Sequence, residues 1–152
     1  MNNDSVSPDS FNTHTLERLV IDALERTAFV LADPCEDPAT LAPAEIHACI
    51  EFRGPELGGV GLGSTRAFAR NLAASLLGVE PSAVSDAQTD EALRELANIV
   101  GGSVIRALGG ENCAFSLGLP HIGKPDMSGT TTTCVLDAEG ERLEIACHRH
   151  AA

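Results

Sequence analysis

Glu95 and Asn98 are the residues of this chain whose types and spacing could do chemistry. They sit in the segment Asp90-Glu-Ala-Leu-Arg-Glu-Leu-Ala-Asn-Ile-Val-Gly-Gly102. Placed at about 100° per residue, the segment divides into two faces. Leu93, Leu96, Ala97, Val100, Val104 and Leu108 fall on one. Glu91, Glu95, Asn98, Gly102 and Arg106 fall in a stripe on the other. The apolar face predicts that the helix packs. The stripe carries a carboxylate and a carboxamide one turn apart, followed by a residue with no side chain, which is what a surface needs to reach into another protein's site. Asn inside a helix is unfavourable, and each glycine of Gly101-Gly102 costs about 1 kcal/mol relative to Ala. Glycine in a well-patterned helix suggests close backbone approach: by a neighbouring element at Gly101, and by a partner at Gly102.

The elements that must position this stripe can be read along the chain. Phe11 to Ala32 is expected to be a first helix, with Leu16, Leu19, Val20, Ala23, Leu24 and Ala28 at helical spacing and Asp33-Pro34 as its stop. Residues 35–43 read as a Pro-rich loop. Glu45 to Phe52 alternates as a half-buried strand, and Leu57 to Gly63 returns as a glycine-rich one. Thr65 to Leu77 reads as a second helix stopped by Gly78. The site helix comes third, opened by a capping box of Ser85 and Gln88 with Thr89 as a rival cap, and running to about Ala107. Asn112 to Leu119 is expected as a strand, Pro120 to Gly129 as a loop. Thr130 to Leu136 and Arg142 to His148 then form a hairpin around Asp137-Ala-Glu-Gly140. Short turns between neighbouring strands imply antiparallel pairing. The expected fold is α+β: a largely antiparallel sheet of five or six strands with three helices packed against it. Residues 1–10 are expected as a polar N-terminal tail, and residues 11–152 as a single domain.

Composition narrows the function classes. Apolar residues make up 43% of the chain, enough for one packed core. The formal charge of −12 and a single lysine, Lys124, leave no basic footprint for nucleic acid or an anionic membrane surface. No apolar run reaches the roughly 18 residues of a membrane span, and the N-terminus lacks the pattern of a signal peptide. The five cysteines, Cys35, Cys49, Cys113, Cys134 and Cys147, are odd in number and widely spaced, which fits reduced thiols in the cytoplasm.

A weak internal repeat aligns Asp22-Ala-Leu-Glu-Arg-Thr-Ala-Phe-Val30 with Glu91-Ala-Leu-Arg-Glu-Leu-Ala-Asn-Ile99. The halves are expected to be related by duplication, with Arg26 and Phe29 in the first copy where Glu95 and Asn98 stand in the second. With the repeat in place, Asp90-x-x-x-x-Glu95-Leu-Ala-Asn98-Ile-x-Gly-Gly102 resembles the signature of the CheC/CheX/FliY chemotaxis phosphatases, and the order of elements fits over about residues 11 to 148. One motif rather than two makes the chain similar to CheX. Gly102-Ser103 stands where family members often carry Gly-Asn.

The resemblance implies a CheC-like, pseudo-duplicated architecture and a phosphatase acting on the aspartyl phosphate of a CheY-type response regulator. Asn98 would orient the attacking water, and Glu95 would pair with the lysine that coordinates the phosphoryl group. Glu91, Gly102 and Arg106 would line the docking surface. Mg²⁺ would be supplied by the regulator, with no metal site or cofactor in this chain, and a homodimer is implied. Two other readings stand beside it. One is a non-catalytic module of the same fold that binds a regulator or a flagellar-switch partner. The other is a metal- or ligand-binding domain using Cys147, His148 and His150 with Cys113 and Cys134 on neighbouring strands; buried free thiols and a frayed C-terminal end are the simpler account of those residues. The stretch from Gly59 to Thr65 lacks the spacing of a phosphate loop and reads as a glycine-rich strand against a close-packed helix.

Overall fold

The computed structural model describes residues 11–109 and 114–152. The expected tail, residues 1–10, lies outside them, as do Asn112 and Cys113. Three helices, α1 (Thr13–Ala28), α2 (Arg66–Leu77) and α3 (Asp86–Gly109), pack on one face of a seven-stranded sheet. The strands are β1 (Ala32–Pro34), β2 (Ile46–Arg53), β3 (Glu56–Ser64), β4 (Ser116–Leu117), β5 (His121–Ile122), β6 (Thr130–Ala138) and β7 (Glu141–Ala151). Their order is β1-β6-β7-β3-β2-β4, with β5 also on β2, and every pairing is antiparallel. The expected α+β class holds, with more strands than the five or six anticipated.

Alternation decides which side of the sheet meets the helices. Ile46, Ala48, Ile50 and Phe52 of β2 are buried, as are Val60 and Leu62 of β3, Leu143, Ile145 and Cys147 of β7, and Leu136 and Ala138 of β6. Leu16, Val20 and Leu24 of α1, Phe68 and Leu72 of α2, and Leu93, Leu96, Val100 and Val104 of α3 complete this core. Each of the Val, Leu, Ile and Phe side chains contributes about 1.5–3 kcal/mol on burial.

The local signals act as read. Thr65 caps α2 by accepting from the Phe68 N–H, and Gly78 ends it at φ 69°. The β6–β7 turn places Glu139 at φ 55° and Gly140 at φ 91°, and the Gly140 N–H donates to Asp137 Oδ1 at 2.7 Å. Both central residues at positive φ match the twist of a tight hairpin.

Four expectations are corrected. The first helix ends at Ala28 rather than Ala32, because Phe29 turns left-handed (φ 56°) and the Phe29 and Val30 N–H groups both donate to the Leu24 carbonyl. Glycine usually makes this stop, so nothing local announced it. Asp33-Pro34 therefore lies on β1, not at the helix end. The strand expected over 112–119 is regular only at Ser116–Leu117 and resumes as β5 within the expected loop. Pro120 has no N–H for the ladder and falls in the gap between them. The expected frayed C-terminus is strand to Ala151, because β3 is long enough to pair Glu56 with it. Arg149 is buried there, with Nη1 3.4 Å from Glu56 and the guanidinium 5.5 Å from the Phe11 ring centre.

The second face of the sheet carries Gly59, Gly61 and Gly63 of β3, and a strap formed by residues 120–129 packs there on Gly61. A Cβ on Gly61 would overlap the Pro125 ring, and one on Gly63 would lie 2.9 Å from His47. The Gly123 N–H donates to the His47 carbonyl at 2.8 Å, tying the strap to β2.

Burial pushes the Cys134 and Cys147 thiols from the ordinary value of 9.0 up to about 12. Their ionised forms are thus accessible first in the unfolded chain, so the stability they contribute is present below about pH 9 and is lost as pH rises toward 12. The chain has no tyrosine and one lysine, so few other side chains titrate in that window. The urea midpoint of the reduced protein is expected to fall between pH 8 and pH 10.5, and to fall less in Cys147→Val. An equal fall in both would remove the thiol from this account.

Candidate functional site

The site is built on α3. The Ser85 N–H donates to Gln88 Oε1 at 2.9 Å, and Ser85 Oγ accepts from the Gln88 N–H at 3.1 Å, the reciprocal capping box. Thr89 is not the cap: it is buried one turn in, its Oγ1 donating to the Ser85 carbonyl at 2.9 Å. From this start Leu93, Leu96, Ala97, Val100 and Val104 are buried, while Leu108 is partly buried at the far end. The opposite stripe is therefore turned away from the core, and the wheel holds over five turns.

Glu95 is exposed and Asn98 half-exposed. Among the described residues neither side chain makes a hydrogen bond or an ion pair, so both keep their full bonding capacity for something outside the fold. A carboxamide in that state can donate to one group and accept from another at any physiological pH.

The flanking residues differ in how free they are. Glu91 is exposed but paired with Arg94, Oε2 to Nη2 at 2.6 Å, within its own helix. Arg106 is exposed and folds back, its Nε 3.4 Å from the Gly102 carbonyl. The flat surface at Gly102 is thus bordered by a guanidinium.

The two glycines have different causes. A Cβ on Gly101 would lie 2.9 Å from Ile50 Cγ2 and 3.2 Å from Leu117 Cδ2, so glycine here lets α3 sit close on β2 and β4. A Cβ on Gly102 would meet only Arg106 Nη2 at 3.8 Å and Leu117 Cδ1 at 4.0 Å, ordinary contacts. The fold does not require glycine at 102.

The aligned first copy has no such pair. Arg26 is bound to Asp22 at 3.3 Å, and Phe29 lies past the helix end, 86% exposed. Of the Cys and His residues considered for a metal, Cys113 lies outside the described residues; among those described, no group of three or more His, Cys, Asp or Glu is placed to hold a metal ion. His148 is buried beneath the strap and His150 is exposed. Sequence reasoning missed one pairing on that face, Cys49 Sγ to His121 Nε2 at 3.1 Å. It forms because β5 pairs His121 with Cys49, residues 72 positions apart, and no sequence signal pointed to it. No helix among the described residues is long and apolar enough to cross a membrane.

Opposite effects are expected at the two glycines. Gly101→Ala should lower unfolding free energy by about 1–3 kcal/mol through overpacking. Gly102→Ala should raise it by about 0.5–1 kcal/mol. Urea denaturation of both variants checks this; a destabilised Gly102→Ala would mean that the fold itself needs the glycine.

Comparison with known proteins gives the fold and the family. A family model described as chemotaxis phosphatase CheX matches residues 46–141, which include Glu95 and Asn98. No curated protein sequence matches. The chemotaxis protein CheX of Vibrio vulnificus is similar in structure (TM-score 0.74, 15% identity, covering 90% of this chain and 95% of that one). So is a CheX of Desulfovibrio desulfuricans (TM-score 0.72, 15% identity, 91% and 98%). A third is the CheX–CheY–BeF3–Mg²⁺ complex of Borrelia burgdorferi (TM-score 0.66, 15% identity, 90% and 96%). At these identities the structures speak for the fold, and the model match over more than half of the chain places this protein in the CheX family.

Proposed function

We propose that this protein accelerates hydrolysis of the aspartyl phosphate of a CheY-type response regulator, with Asn98 orienting the attacking water and Glu95 docking to the regulator's lysine. The observation that carries the reading is the outward-facing Glu95–Asn98 pair on a rigid helix, with no internal partner among the described residues. Family membership supports the activity, and the Borrelia burgdorferi relative bound to CheY with BeF3 and Mg²⁺ supports the partner.

The chemistry asks little of the chain. An acyl phosphate is already reactive, and what limits its hydrolysis is a water held in line with the scissile P–O bond. Asn98 accepts from that water and donates to a neighbouring oxygen, which fixes both its position and its lone pair. The water oxygen bonds to phosphorus as the bond to the aspartate oxygen breaks, releasing phosphate and restoring the carboxylate. Glu95 attracts the lysine ammonium and so holds the two proteins in register. Mg²⁺ belongs to the regulator. Gly102, with Arg106 beside it, leaves room for the partner's backbone.

Asn98→Ala is expected to reduce the acceleration by at least about 100-fold while affinity for the BeF3⁻-activated regulator stays within about threefold. Glu95→Ala should weaken that affinity. Phosphate release from a phosphorylated regulator, with and without protein, reads the first; titration calorimetry reads the second. Full acceleration by Asn98→Ala would refute the water-orienting role. Binding without any acceleration by the unsubstituted protein would leave a non-catalytic regulator-binding module.

A further inference from the structure

Beside the Glu95–Asn98 pair, on the α2 side, α3 borders a groove of about 200 Å³ lined by Ala73, Leu76, Leu77, Gln88, Ala92 and by Glu91 and Glu95 themselves. Its floor is apolar. Its outer lip is the end of α2, where Leu76, Leu77 and Val79 are 41%, 51% and 44% exposed. Three exposed aliphatic side chains around one helix terminus form an apolar surface that polar groups do not cover. The inner lip carries the carboxylates of Glu91 and Glu95. Viewed down α3 at about 100° per residue, Ala92 and Asn98 lie about 60° to either side of Glu95. Glu95 therefore belongs to both surfaces: the reacting pair on one side, the groove on the other.

We infer that this groove is the second half of the regulator-binding surface, taking an apolar side chain flanked by Lys or Arg on the receiver face beside the phosphorylated aspartate. The inference rests on the partner named under the proposed function. Two observations choose this occupant. The groove is continuous with the reacting pair through Glu95, so a receiver seated on Asn98 must lie over or beside it. The rim carries one carboxylate without an internal partner among the described residues, Glu95, beside the Glu91–Arg94 pair, in a chain of net charge −12, so its complement carries positive charge. A second copy of this chain is a poor match, because a two-fold contact would face one groove with another of the same net-negative chain, with no free cation among the described residues of the rim to meet Glu95. Arg94, the nearest cation on that helix, is already held by Glu91. In this arrangement Asn98 sets the rate, and Leu76 and Leu77 set which receiver is held.

The test uses the double variant Leu76→Ser/Leu77→Ser, with Leu31→Ser, exposed on the α1–β1 connection, as the control. The probe is a CheY-type receiver activated with BeF3⁻ and Mg²⁺, titrated by calorimetry, with the phosphorylated receiver used for turnover. Circular dichroism confirms that the variants are folded. The double variant should raise Kd and KM at least tenfold while kcat stays within twofold, and the control should match the unsubstituted protein. Kd within twofold of the unsubstituted protein would overturn the inference. So would sedimentation equilibrium showing a self-associated protein that the double variant makes monomeric, since the groove would then join two copies. If the receiver binds but its phosphate is not released faster, the phosphatase reading falls and the groove is still judged by Kd. If the unsubstituted protein binds no receiver, both fall.

Discussion

The close seating of α3 on the sheet is the constraint from which the rest follows. Gly101 permits it, because any side chain there would strike Ile50 and Leu117. With the helix held that close, Leu93, Leu96, Val100 and Val104 are sealed from water and the rotation of α3 about its axis is settled. A helix cannot bury one stripe without presenting the opposite one. The outward aim of Glu95 and Asn98 is thus a consequence of core packing, and needs no supporting hydrogen bonds around the two side chains. Neither side chain has an internal partner among the described residues, as the proposed role requires.

The sheet separates two tasks. One face carries the helices and through them the candidate site. The other carries the strap, with Pro125 seated at Gly61 and His121 joined to Cys49. β7 runs the full length of β3 between the two, which buries Cys147 among apolar side chains and explains why its thiol resists ionisation. On the second face Cys49 and His121 hold each other, whereas on α3 the Glu95 and Asn98 side chains have no partner among the described residues.

The two aligned helical segments differ in where their helices end. In α3 the aligned segment lies mid-helix, where residues three apart share one face. In α1 the chain turns left-handed at Phe29, so that residue leaves the helix and Arg26 settles against Asp22. Both helices pack into one core, but only α3 continues past the aligned position and so keeps the two positions on one helical face.

What could be read from the chain alone is what depends on near neighbours along it. Helical and strand periodicity, the Ser85–Gln88 box, the Gly78 stop, the hairpin around Asp137–Gly140 and the two-faced wheel of α3 are all set by interactions within a few residues, and each was legible. The Glu95–Asn98 stripe was legible for the same reason. Tertiary structure decided what depends on distant partners: the stop at Phe29, the broken edge strand at Pro120, the strap over the glycine face, the Cys49–His121 contact and the groove between α2 and α3. These arise where segments far apart in sequence compete for one surface, and packing against a neighbour outweighs local preference there. Periodicity can say which side of a helix faces outward; only the folded neighbours say what lies next to it.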